Sequence, residues 1–150
     1  MRKAVKNLFF ISRNCDIMAN RLWSFFAFSP VVQKWFDGLE IESKDEIRDT
    51  LSYIGNVESH LWGKNFEALG DGLSEIKVRV SSLNKWIRLY GYFYPRRHEY
   101  TICHANEKKT SNAKHDKKLA RDRKSDIDRN RGLIDVFNFE ADDTLPPEEK

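Results

Sequence analysis

The pattern of hydrophobic and polar positions changes its period at Gly70–Gly72, a Gly-Asp-Gly turn signal. Upstream of this turn, the apolar run from Leu22 to Phe28 predicts a strand. Ser29 and Pro30 then suit the N-cap and the first residue of a helix. Apolar side chains follow at helical spacing, namely Val31, Val32, Trp35, Phe36 and Leu39. The first elements are therefore a strand and a helix.

A second helix is predicted after Ser43, which we interpret as its N-cap, with Glu46 as the partner in a capping box. Its apolar face consists of Ile47, Leu51 and Ile54. The segment from Val57 to Leu69 shows no clear period, and we interpret it as a connection. We expect four of its apolar residues to dock on the core: Leu61, Trp62, Phe66 and Leu69.

Downstream of the turn the hydrophobic period is two, which is typical of strands with one buried face. Three strands are predicted, over residues 73–80, 86–94 and 99–105. In the first strand Ile76, Val78 and Val80 face one side, and Glu75, Lys77 and Arg79 face the other. Gly91 in the second strand marks a bulge or a close approach of another backbone. Together the three strands predict an antiparallel meander.

The segment 112–131 is highly charged and helical in propensity. Its apolar anchors are Leu119, Ala120 and Ile127, so we expect a weakly docked helix. The predicted fold class is α+β: an N-terminal strand and two helices packed on an antiparallel sheet, with a basic C-terminal helix and all helices on one face. We assign residues 1–20 to an N-terminal extension, 21–132 to one domain and 133–150 to an acidic, flexible tail. Four apolar residues make docking an alternative for that tail: Ile134, Val136, Phe137 and Phe139.

The distribution of charge singles out the middle of the chain. The formal net charge is +3, yet residues 73–132 carry 16 Lys and Arg against 7 Asp and Glu. A basic block of this density suits a polyanion, and a solvated helix face is the other interpretation. No segment approaches the roughly 20 apolar residues of a membrane span, and Cys15 and Cys103 form no CxxC motif. We therefore expect a cytoplasmic protein with no membrane partner.

Cationic and titratable residues of the predicted sheet suit metal-independent cleavage of RNA. In that reaction the neighbouring 2′-hydroxyl attacks, and the protein supplies a base, an acid and cations for the phosphorane. We predict five catalytic residues: Lys77, Arg79, Arg88, His104 and Lys109. We predict seven further residues that bind RNA: Glu75, Tyr90, Tyr92, Lys108, Arg121, Arg123 and Lys124. The other histidines in or near the domain, His60, His98 and His115, have no partners at metal-ligand spacing, so we predict no metal and no other cofactor.

Each of these roles has a structural alternative. Lys77, Arg79 and Arg88 form either a phosphate clamp or the solvated side of two strands. His104 serves as acid or base, or as a structural histidine, and Glu75 is a second candidate base. The tyrosines of the second strand either stack on bases or pack inside the protein. The four tryptophans are interpreted as core or near-core residues with little functional content, namely Trp23, Trp35, Trp62 and Trp86.

Four short motifs in this order resemble the RelE/ParE toxin superfamily, and most of all its phage-derived, HigB-like branch. The motifs are Gly72-Leu73-Ser74-Glu75-Ile76-Lys77-Val78-Arg79, Ile87-Arg88-Leu89-Tyr90, His104-x3-Lys108-Lys109-Thr110 and Leu119-Ala120-x2-Arg123. The resemblance covers roughly Arg21 to Arg131. Asn106 departs from the pattern, which has an aromatic residue two positions after the histidine. The first twenty residues and the segment beyond Arg131 lie outside it.

The resemblance implies a RelE-like fold and a toxin of a type II toxin–antitoxin system. Such a toxin enters the ribosomal A site and cleaves the mRNA there. The resemblance also implies a cognate antitoxin, often a helix-turn-helix protein, that blocks the basic face. Two alternatives stay open: a non-enzymatic, ParE-like poison of DNA gyrase, and an inactive relative that only binds RNA.

Overall fold

A computed structural model of the chain describes residues 21–94, 98–108 and 113–140, with the backbone alone at Lys108 and Ala113. The predicted N-terminal extension, Lys109 and residues 141–150 of the predicted tail therefore lie outside the described residues. Among the described helices, none combines the length and the apolarity that crossing a bilayer requires.

The described residues form six strands and three α-helices, which confirms the predicted α+β class. The strands are β1 Ser24–Phe28, β2 Phe66–Gly70, β3 Leu73–Val80, β4 Lys85–Tyr94, β5 Glu99–Lys108 and β6 Ile134–Val136. The helices are α1 Val31–Asp37, α2 Ile41–Ile54 and α3 Ala113–Arg129.

All six strands join in one sheet with the order β2-β3-β4-β5-β1-β6. The predicted antiparallel meander is confirmed, because β3 pairs with β4 and β4 pairs with β5 in antiparallel register. The N-terminal strand β1 then adds to β5 in parallel, and β6 pairs with β1 in antiparallel register. The sheet is thus mostly antiparallel, with residues from both ends of the described chain at one edge.

The two faces of the sheet are covered by different helices. On one face the main core joins α1 and α2 to inward-facing strand residues, with Ile47, Leu51, Ile76 and Ile87 among its fully buried members. On the other face α3 covers a second apolar cluster, which consists of Leu73, Tyr90, Tyr92, Cys103, Ala120 and Ile127. The expectation of all helices on one face is therefore wrong for α3. The cause is the apolar character of Tyr90 and Tyr92, which alternate with the core-facing residues of β4 and need cover of their own.

A β-bulge at Cys103 adjusts the register between β4 and β5. Tyr90 pairs with His104 but Gly91 pairs with Ile102, so Cys103 is the extra residue. A Cβ atom at Gly91 would lie 2.2 Å from the carbonyl oxygen of Thr101, which no side chain could tolerate. Gly91 therefore marks both the predicted bulge and the predicted close approach.

The predicted starts of both N-terminal helices are wrong in detail. Pro30 occupies the N-cap of α1 without a side-chain cap, and the Ser29 hydroxyl instead donates to Asp135 Oδ2 at 2.8 Å. Helix α2 already begins at Ile41, so Ser43 is buried inside it and bonds to Glu40 at 3.3 Å. The capping-box motif therefore lies within the helix, where it caps nothing.

The segment from Val57 to Leu69 is only partly a connection. Trp62 is 1% exposed and packs in the main core as expected, whereas Leu61 is 53% exposed and does not dock. From Phe66 the chain forms β2, which pairs with β3 and was not predicted. Polar and small residues break the alternation there, because β2 is an edge strand.

The described part of the predicted tail, residues 133–140, belongs to the packed domain. Strand β6 pairs with β1, and Phe137 and Phe139 are 2% and 3% exposed in the main core. The Phe137 ring meets that of Phe36 at 5.3 Å in an edge-to-face contact. A flexible assignment is therefore wrong for these eight residues, and the alternative, docking through their apolar side chains, is the observed one.

Replacement of Phe137 tests whether the C-terminal segment is part of the core. Phe137→Ala removes a buried ring, so we expect the free energy of unfolding in urea to fall by about 3–5 kcal/mol. The matched control is Val136→Ala at the preceding residue, which ends β6. Its side chain is 57% exposed, so a change within about 0.5 kcal/mol is expected. Equal effects of the two substitutions would contradict the docking.

Candidate functional site

The register of the three central strands builds a polar face with three rows of side chains. The rows are Glu75-Tyr90-His104, Lys77-Arg88-Asn106 and Arg79-Trp86-Lys108, each running across β3, β4 and β5. Neighbours within a row have Cβ atoms about 5 Å apart, and successive rows are about 7 Å apart. The sheet thus brings together Lys77, Arg79, Arg88 and His104, as the sequence predicts, and adds Asn106 and Trp86.

Helix α3 covers one end of this polar face and leaves the other end open. Tyr90 in the first row is 2% exposed, whereas Trp86 in the third row is 41% exposed. The side chains of Lys77 and Arg88 are 25% and 23% exposed. The interpretation of Trp86 as a core or near-core residue is therefore wrong, because its position on β4 points it away from the main core.

Arg88 and Glu75 form a largely buried ion pair on the polar face. The Arg88 Nη1 atom donates to both carboxylate oxygens of Glu75, at 3.0 and 2.8 Å. Glu75 itself is 2% exposed. Removing either partner would leave a buried charge without compensation, which typically costs about 3–5 kcal/mol. The pair fixes the guanidinium in place and makes both residues important for folding.

Lys77 and Arg79 are held less firmly. The Lys77 ammonium bonds to Glu67 on β2 at 3.1 Å, and this hydrogen bond lowers the pKa of the Glu67 carboxyl. The Arg79 guanidinium donates to Asn84 Oδ1 at 2.8 Å and lies 5.4 Å from the centre of the Trp86 ring. Because Glu67 is half-exposed, an incoming anion can replace it at Lys77 at little cost.

His104 lies in the first row of the polar face, beside α3, and its side chain is 15% exposed. Its ring stacks on that of Tyr90 at 5.7 Å, and its Nε2 atom lies 2.9 Å from Asp116 Oδ1. Burial lowers the pKa of His104, against the opposing effect of the Asp116 carboxylate. Strand β5 continues to Lys108, so His104 is an interior residue and does not lie near the end of the strand, as the predicted range 99–105 would have it.

Asp116 is the residue of this site that the sequence did not single out. It lies in the first turn of α3 and is 7% exposed. Its second oxygen accepts a hydrogen bond of 2.6 Å from the Asn106 amide, so one carboxylate joins α3 to two side chains of β5. The sequence feature that could have indicated Asp116 is Asn106, where the chain departs from the aromatic residue of the toxin pattern.

Four residues predicted to bind RNA are used for packing. Tyr90 and Tyr92 are 2% and 8% exposed, which leaves too little ring surface for a base to stack on, and burial raises the pKa of Tyr90 to about 12. Arg123 donates to the carbonyl oxygen of Cys103 at 3.0 Å, and Lys124 lies 5.1 Å from the Tyr92 ring. These side chains therefore make structural contacts, and their role in binding RNA stays a prediction.

The remaining predicted residues lie at the margins of the site. Arg121 is partly exposed on α3, 3.9 Å from Asp71. Lys108 ends β5 opposite Trp86, with its backbone alone described, and Lys109 lies outside the described residues. Cys103 is buried beneath α3, where burial raises the pKa of its thiol to about 12 and keeps it protonated at neutral pH.

Among the described residues no metal cluster marks the polar face, and a cavity of the fold lies away from it. Within residues 21–94, 98–108 and 113–140, no three His, Cys, Asp or Glu side chains are grouped so as to hold a metal ion. A cavity of about 470 Å³ lies between β1 and the segment 136–140, and none of the predicted site residues lines it. The candidate site is therefore an open, cationic surface, which suits an extended polyanion better than a small molecule.

A comparison with known protein families assigns the chain to one of them. Residues 34–125 match the model of the phage-derived Gp49-like proteins (DUF891), a segment that runs from α1 into α3. The chain belongs to the Gp49-like family. This family is associated with toxins of toxin–antitoxin systems of the RelE/HigB type. No curated protein and no solved structure matches the chain.

The lowered pKa of His104 predicts a pH dependence of stability. Below the ordinary histidine pKa of about 6.5, His104 binds a proton more readily in the unfolded chain than in the folded protein. The free energy of unfolding should therefore fall as the pH drops below about 6.5 and through the folded-state pKa. Urea unfolding between pH 7.5 and 5 should show a shallower decline for His104→Gln than for the unmodified chain. Identical slopes would contradict the assignment of this proton to His104.

Proposed function

We propose that the chain is the toxin of a type II toxin–antitoxin system and cleaves mRNA on the translating ribosome without a metal ion. The observation that carries the proposal is the polar face, where Lys77 and Arg88 lie in the row next to that of His104, and Arg79 lies one row further. Membership of the Gp49-like family supports it independently, through the association of that family with RelE/HigB-type toxins.

His104 is the proposed general base. A carboxylate can only accept, so the contact with Asp116 places the ring proton on Nε2 and leaves a lone pair on Nδ1. Nδ1 takes the proton of the 2′-hydroxyl while the 2′-oxygen forms a bond to phosphorus. The bond to the 5′-oxygen then breaks, and this oxygen takes a proton from water and leaves as a hydroxyl group. The products are a 2′,3′-cyclic phosphate and a 5′-hydroxyl.

Arg79 and Lys77 are the proposed partners of the phosphate. Both side chains lie towards the open end of the polar face, and an anion can exchange with their present partners, Asn84 and Glu67. Arg88 remains oriented by Glu75 and adds a fixed positive charge behind them. Cations held in this way stabilise the charge that develops on the phosphorane. Lys108 and Lys109 remain predictions, since their side chains lie outside the described structure.

The proposed partners follow from the same surface. The mRNA strand and ribosomal RNA match the positive charge of residues 73–132, which carry 16 Lys and Arg against 7 Asp and Glu. A cognate antitoxin, of the helix-turn-helix type, would neutralise the toxin by covering the polar face. The proposed compartment is the cytoplasm, where translation takes place.

One observation favours a non-enzymatic alternative. Lys77 and Arg88 are each paired with a carboxylate, as residues of a purely structural face would be. On that reading the chain is a ParE-like poison of DNA gyrase or an inactive RNA-binding relative. Cleavage of RNA in cells separates the alternatives.

Controlled expression in a bacterial host, with primer extension on a translated reporter mRNA, tests the proposal. We expect growth arrest and discrete cuts that vanish when translation initiation is blocked. Arg79→Ala should reduce cleavage about 10²- to 10³-fold, as the loss of one stabilising donor typically does. Arg88→Ala is a poorer test, because it strands the buried Glu75 carboxylate.

The matched control is Lys118→Ala, which removes one positive charge from a side chain that is 74% exposed on α3. This variant should arrest growth and cut mRNA as the unmodified chain does. Arrest without cuts would contradict the nuclease and favour a binding poison. The absence of both growth arrest and mRNA cuts would favour the inactive relative.

A further inference from the structure

We propose that Trp86, together with Arg79, forms a stacking site for one nucleobase of a bound RNA strand. The inference rests on the proposed function, because it assigns part of the substrate to a defined place on the polar face. It adds a binding residue that lies outside the predicted catalytic and RNA-binding sets.

The exposure of Trp86 is the first observation. Two other tryptophans, Trp23 and Trp62, are 3% and 1% exposed, whereas Trp86 is 41% exposed. Among the described large apolar side chains that are exposed, Trp86 is the one on the polar face; the others are Val31, Ile41, Tyr53, Leu61 and Val136. The exposed part of the Trp86 ring lies beside several cations, where it offers an apolar surface to a ligand.

The contact with Arg79 is the second observation. The guanidinium carbon lies 5.4 Å from the centre of the Trp86 ring, and Asn84 holds the same guanidinium by a hydrogen bond of 2.8 Å. Asn84 is itself in the left-handed region, with φ of 52°, in the tight turn between β3 and β4. The turn thus orients the arginine, and the arginine limits the rotation of the indole.

The register gives the third observation. Trp86 lies two residues from Arg88 along β4, which is about 7 Å, and directly across from Arg79 on β3. A base on the indole therefore leaves its own phosphate within reach of Arg79, and the next phosphate within reach of Lys77 and Arg88. Stacking on an aromatic ring beside arginines is the usual way in which proteins bind single-stranded RNA.

Because every base has a π-face, this site would bind without strong sequence preference. It would add affinity that does not depend on counterion release, in contrast to the cations around it. This difference separates the indole from its neighbours in an experiment.

The test measures binding of a fluorescent 2′-O-methyl oligoribonucleotide, which lacks the attacking hydroxyl and is not cleaved, to the full chain over a range of salt concentrations. Trp86→Ala should raise Kd about 5- to 100-fold, as loss of one stacked base does, and should leave the salt dependence of Kd unchanged. Trp86→Phe should recover most of the affinity. Arg79→Ala should reduce the slope of log Kd against log salt by about 0.7, because one phosphate contact is lost.

The control is Tyr53→Ala, which removes an aromatic side chain that is 58% exposed on α2 and should leave Kd unchanged. Equal affinity of Trp86→Ala and the unmodified chain, or no binding by either, would overturn the inference. A Trp86→Ala chain that loses binding of an antitoxin but keeps that of RNA would also overturn it and assign the indole to a protein interface. Primer extension on the same variants reports separately on cleavage, so a failure of the proposed nuclease is distinguishable.

Discussion

The carboxylate of Asp116 is the contact on which the arrangement of the polar face depends. It lies 2.9 Å from His104 Nε2 and 2.6 Å from Asn106 Nδ2, and so joins the first turn of α3 to the middle of β5. A buried carboxylate is tolerated only when hydrogen bonds satisfy it, so these two bonds fix where the first turn of α3 packs against β5. The same contact fixes the orientation and the tautomer of the proposed base.

The balance of charge on the polar face separates residues that hold the fold from residues that can meet a ligand. Arg88 and Glu75 satisfy each other in a largely buried place, so this pair stays intact when an anion approaches. Lys77 and Glu67 form a pair that is open to water, and such pairs exchange partners at little cost. A phosphate would therefore bind to Arg79 and Lys77 first, while Arg88 adds a fixed positive charge nearby.

The sequence predicts those parts of the fold that depend on local periodicity. The alternation along β3 and β4 identifies the core residues and gathers Lys77, Arg79 and Arg88 on one face. Local periodicity cannot predict contacts between distant segments. The pairing of β6 with β1 and the burial of Phe137 join residues more than 100 positions apart. Asp116 looked like one more charge on a basic helix, because its role depends on which face of the sheet α3 covers. Trp86 looked like a core residue for the same reason.

The most direct test of metal-independent cleavage is the chemistry of the new RNA ends, determined with purified protein and ribosomes programmed with a defined mRNA. Attack by the 2′-hydroxyl under the control of side chains predicts a 2′,3′-cyclic phosphate on one fragment and a 5′-hydroxyl on the other. Ends with a 3′-hydroxyl and a 5′-phosphate would show attack by an activated water, as metal-dependent nucleases use, and would contradict the account.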